Sequence, residues 1–166
     1  MRRLAFIAPL AASIAAASIA FAQPTGAPTV TVTLGEDLQE EAEKLGQREV
    51  DRQVAELTRT VEQTLARRGA LQGATINLVL TDLKPNRPTI QQAIDRPGLS
   101  IIDSISIGGA TIEGEVITAG GQTLPVKYDR YSTNIQDVFG FGTWQDAERA
   151  YDRLANNLAS GRYVTR

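Results

Sequence analysis

The chain has 166 residues, with 17 Lys and Arg against 19 Asp and Glu, and it contains neither His nor Cys. Those two absences exclude Ser-His-Asp and Cys-His nucleophile systems, zinc sites of the usual ligand set, and most haem or copper sites. The slightly acidic balance offers no basic excess with which to neutralise nucleic-acid phosphates.

Met1-Arg2-Arg3 is a short basic start, followed by an apolar, Ala-rich run from Leu4 to Phe21. Ala20-Phe21-Ala22 places small residues at the two positions a signal peptidase reads. Residues 1–22 are therefore expected to be a cleavable signal peptide, with cleavage before Gln23. The competing reading is an uncleaved transmembrane helix. The run is barely long enough to span a bilayer and is weakened by Pro9, Ser13 and Ser18. Arg2-Arg3 leaves twin-Arg export open beside the general route. Without Cys there is no site for lipid attachment and no disulfide, so the exported protein is expected in the periplasm or secreted, stabilised by its core alone. The leader carries two of the seventeen basic residues and none of the acidic ones, which leaves a mature chain of 144 residues at −4. That is one ordinary domain, with no further run apolar enough to span a membrane.

Residues 23–28, with two Pro and a Gly, read as a flexible mature N-terminus. Thr29 to Leu34 alternates valine or leucine with threonine and predicts a half-buried strand. A long helical stretch follows over 36–68. Its apolar face is Val50, Val54, Leu57, Val61 and Leu65, with Arg67-Arg68-Gly69 as its end; before Gly46, Leu38, Ala42 and Leu45 form either a short preceding helix or the same helix with a weak point. Residues 74–83 predict a second strand, with Ile76, Leu78 and Leu80 on one face. The connection 84–99 holds three prolines, and Thr89-Ile90-Gln91-Gln92 matches a capping box, predicting a short helix. Alternation over 101–118 predicts strand structure interrupted at Gly108-Gly109. Ala119-Gly120-Gly121-Gln122 predicts a hairpin turn into a last strand at 123–131, where Pro125 argues for an edge or a bulge. After a loop at 134–142, a helix over 143–160 buries Ala147, Ala150, Tyr151, Leu154 and Leu158, with Thr143 as its expected cap. Residues 163–166 read as a tail.

These elements predict a single α+β domain over 29–162. It is a two-layer sandwich: a mainly antiparallel sheet of four to five strands, with one long and one C-terminal helix on one face.

Candidate sites come in pairs of readings. Phe139-Gly140-Phe141-Gly142-Thr143 enters a helix N-terminus, where free amides can hold an anion; the same residues serve as a capped entry loop with aromatics tucked on the core. Trp144, the only Trp, is either an exposed anchor for a partner or a core residue. Lys127 to Tyr131 mixes Tyr with Lys and Arg, as in a general-acid site, or is a charged strand guarding a sheet edge. Asp82 with Asp103 or Glu113 would form a carboxylate pair if the strands adjoin; otherwise these are solvated turn and loop residues. The long loops 84–98 and 134–143 carry residues that serve neither helix nor strand periodicity. If they share one end of the domain, Arg87, Ile90, Ile94, Arg96, Phe139, Phe141 and Trp144 form a partner-binding surface. At opposite ends they are separate surface connections.

The organisation resembles that of small uncharacterised periplasmic proteins of Gram-negative bacteria. The shared features are the leader, the valine-threonine strand, the long helix, the Gly-Gly hairpin and a last helix opening on Trp144-Gln145-Asp146-Ala147. The resemblance implies a place in the cell envelope and transfers no site residue. The expected function is a non-enzymatic periplasmic binding or interaction module for an envelope protein or a small polar ligand, without cofactor or metal. The alternative is a small hydrolase working through paired carboxylates or a Tyr beside Lys or Arg.

Overall fold

In the computed structural model the described residues are 26–138 and 140–165. The leader and its cleavage point lie outside them, as does Phe139. β1 (Thr29–Leu34) runs into α1 (Glu36–Leu45) and α2 (Gln47–Arg68). Then come β2 (Thr75–Lys84), the one-and-a-half-turn α3 (Ile90–Asp95), β3 (Gly109–Ile117), β4 (Thr123–Tyr131), α4 (Gln145–Ala159) and β5 (Val164–Thr165).

The strands form one five-stranded open sheet in the order β1-β2-β3-β4-β5. The sheet is mixed. The two central pairings, β2 with β3 and β3 with β4, are antiparallel, while β1 with β2 and β4 with β5 are parallel. Helices make both parallel pairs: a strand that returns beside its predecessor in the same direction needs a crossover, and α1–α2 and α4 provide it. The inward residues of the sheet and the stripes of α1, α2 and α4 form one hydrophobic cluster. The fold is thus the expected α+β sandwich.

Of the two readings at Gly46, the short preceding helix is the one found: the stretch 36–68 is two helices, because Gly46 adopts φ +94°, a left-handed value no side chain tolerates easily. Several other local expectations are corrected. Gln53 takes the buried place on α2 expected for Val54, which is half-buried. β3 begins only at Gly109; residues 101–108 run as turns and irregular chain, so Ile101, Ile105 and Ile107 are exposed instead of paired. In the supposed tail, Val164 and Thr165 pair beside Lys127 and Tyr128, and the Lys127 amide donates to the Tyr163 carbonyl at 3.0 Å. Pro125 sits on the part of β4 beyond that pairing. α4 starts after Trp144, with no side-chain cap from Thr143. The capping box at Thr89 and Gln92 is formed in full.

A bulge in β2 positions the next segment. The register slips between Leu80 and Asp82, so Leu80 and Leu83 both face the core although three residues apart. Asp82 is thereby kept on the outer face, and the chain leaves the sheet at Lys84 toward the start of α4.

Candidate functional site

Residues 84–108 and 132–144 meet at one end of the sheet. The Asn86 amide donates to the Thr143 carbonyl at 2.7 Å, and its carbonyl accepts from the Ser106 amide at 2.8 Å. Its side chain does more. Nδ2 donates to Asp146 Oδ2 at 2.6 Å and to the Ser106 carbonyl at 3.3 Å, while Oδ1 accepts the Asp146 amide at 2.8 Å. Asp146 also accepts from the Ser132 hydroxyl at 2.7 Å and pairs with Arg149 at 3.1 Å. Asn86 and Asp146 are 1% and 2% exposed, and a buried carboxylate is tolerable only when partnered in this way. Gly108 completes the fit: a Cβ there would lie 2.6 Å from the Asn86 carboxamide.

Arg87 is also buried. Its guanidinium donates to the carbonyls of Ile102 and Gly140, the latter at 3.3 Å, and its charge stands 5.2 Å from the centre of the Phe141 ring. Trp144 is 7% exposed, and its indole N–H donates to Glu49 Oε2 at 3.1 Å, tying α2 to the start of α4. Arg87 and Trp144 therefore hold this end together from inside. Ile90, Ile94, Arg96 and Phe141 are on its surface, with Phe141 86% exposed. Ile90 and Ile101 share a cleft of about 320 Å³ with Arg52 and Gln53. Eight of the nine large exposed hydrophobic residues among those described belong to this end: Ile90, Ile94, Ile101, Ile102, Ile105, Ile107, Ile135 and Phe141. The two loops do share one end, and the isoleucines of 101–107, which periodicity assigns to a strand, are part of its surface.

β2 and β3 adjoin, which places Asp82 and Glu113 diagonally on one face of the sheet. Asp82 stands opposite Thr111, whereas Glu113 stands opposite Val79 and Lys127 and pairs with Lys127 at 3.0 Å. Asp103 accepts the Ser100 hydroxyl at 2.8 Å in the exposed loop. Tyr131 donates to Asp82 at 2.7 Å, lies within 2.6 Å of the Thr111 hydroxyl, and has the Lys84 ammonium 5.2 Å from its ring centre. Burial foremost, with Asp82 and Asp129 adding to it, pushes this phenol well above the usual tyrosine range. The hydrogen bonds of this cluster link β2, β3 and β4 across the outer face of the sheet.

Sequence reasoning missed Asn86, Ser132 and Asp146 as a unit. Asp146 carried a signal only as part of the acidic start of the last helix, and Asn86 and Ser132 only as small polar residues in loops. No protein-family model matches the chain, and no curated protein matches it.

Proposed function

We propose that the protein is a non-enzymatic binding module of the bacterial periplasm, serving envelope assembly or maintenance, and that it engages a partner protein through the isoleucine-rich end. The observation that carries this reading is the gathering of exposed apolar side chains on one end, over a rigid polar base. Soluble proteins scatter such residues singly, and a gathered set marks an interaction surface. The base matters as much: Asn86, Asp146 and Arg87 fix the loops before a partner arrives, which lowers the ordering cost of association. The location rests on the leader pattern of residues 1–22.

The test is crosslinking and pull-down from intact cells with the native chain and with an Ile102→Ser, Phe141→Ser double variant. Both side chains are 75% exposed or more, so thermal stability should stay within about 0.5 kcal/mol while partner recovery falls. Recovery of the monomer alone from the native chain removes this reading. So does equal partner recovery by the double variant.

A further inference from the structure

A second cleft, of about 450 Å³, opens between β4, α4 and the segment leading into β5, and none of its lining residues belongs to the apolar end. Three arginines from three elements line it: Arg130 of β4, Arg153 of α4, and Arg162 just beyond α4. Local structure brings them there. Arg130 is in phase with Val126 and Tyr128, the helix-facing side of β4, and is half-buried. Gly161 turns left-handed at φ +73°, and the Arg162 amide folds back onto the Asn157 carbonyl at 2.9 Å, which sets Arg162 beside α4. The Tyr128 phenol reports the convergence. Burial raises its pKa, and the charges of Arg130 and Arg153 both pull against that shift.

The four ion pairs among the described residues use Arg59, Lys84, Lys127 and Arg149. Among the described residues the three cleft arginines make no ion pair, although acids outnumber bases in the chain. Among the described residues Asp129 is the one acidic residue lining the cleft, so their side chains carry a net charge of +2 there. Like charges gathered in a concavity repel, and stability alone gives no reason to collect them. Guanidinium forks match the oxygens of phosphate in geometry as well as charge.

We propose that this cleft binds a dianionic phosphoryl group, held between the guanidinium groups of Arg130, Arg153 and Arg162. The inference stands apart from the partner surface: different residues carry it and a different experiment tests it. Two sources share the chemistry, a soluble phosphate monoester and the monoester headgroup of a lipid.

The experiment titrates the purified protein with inorganic phosphate at pH 8 against chloride at equal ionic strength, following arginine side-chain NMR signals and the melting temperature. Saturable shifts of the three Arg signals and a rise in melting temperature are expected. Arg153→Gln and Arg162→Gln should each weaken binding about tenfold or more. In chloride alone each variant should melt at the same temperature as the native protein or slightly higher, because repulsion is relieved; a merely structural arginine would lower it. Co-sedimentation with phosphatidic acid vesicles but not phosphatidylcholine vesicles, lost in the same variants, assigns the lipid source. Phosphate binding without vesicle binding assigns the soluble one. Phosphate that binds no better than chloride overturns the proposal, as does full binding by an Arg130→Gln, Arg153→Gln double variant.

Discussion

Asn86 directs every hydrogen-bonding group of its carboxamide and backbone to residues at least 20 positions away. No side chain of another shape reproduces that set, because it needs a donor and an acceptor a fixed distance apart on one planar group. Asn86→Ala should therefore cost about 2–4 kcal/mol, since it strips partners from the buried Asp146 carboxylate and amide. The melting temperature should fall by roughly 5–10 °C. A drop of under 2 °C would mean that Ser132 and Arg149 satisfy Asp146 unaided. At this scale the sequence was least legible. Asn86 lies between two prolines' reach in a stretch rich in turn residues, and an Asn there reads as a turn former. Its partner sits 60 residues on, and nothing in local spacing encodes that distance.

Elements were more legible, and the one large miss has a physical cause. β1 and β4 have the predicted bounds, and the buried stripe of α4 contains every residue expected of it. Alternation over Ile101 to Ile107 predicts a strand equally well, yet pairing needs a neighbour with free amides. β2 is already bonded to β1 and β3, and the chain at 101–107 lies past its end, where Asn86 and Pro85 occupy Ser106 instead. Periodicity states which residues share a face and not whether a strand stands ready to receive them. The consequence is measurable. Ile105→Ser with Ile107→Ser should change stability by less than about 1 kcal/mol, because both residues are exposed. Ile112→Ser, inside β3 and fully buried, should cost about 3–5 kcal/mol by leaving a cavity and an unpaired hydroxyl. Denaturant melts of the two proteins separate them, and comparable losses would mean that 101–107 belongs to the packed sheet.

The two-layer architecture followed from counting: one domain's worth of residues, alternating strands, and helices with one apolar stripe each. The parallel outer pairs were also implicit in strand-helix-strand order at both ends of the chain. The short β5 hid that at the C-terminus, since two residues carry no periodicity. A property of the assembled molecule is its loss of stability in alkali. Tyr128 and Tyr151 face the core and Tyr131 braces the outer face, and burial is the first cause raising all three phenols. Tyr151 is fully buried, its hydroxyl has no partner among the described residues, and the carboxylates of Glu148 and Glu56 add to its shift. A phenol whose pKa is higher folded than unfolded keeps its proton longer in the native state. Stability is then complete below the unfolded value of about 10 and falls as pH climbs past it, because only the unfolded chain releases protons there. The exposed pairs Lys84–Asp82 and Lys127–Glu113 contribute little to stability. Urea melts should give a flat midpoint from about pH 7 to 9 and a steep decline above pH 10. Tyr151→Phe should soften that decline and, by removing an unpaired buried hydroxyl, leave stability at pH 7 equal or up to about 1 kcal/mol higher. A decline beginning below pH 8, or an unchanged profile in Tyr151→Phe, would place the alkali-sensitive groups elsewhere.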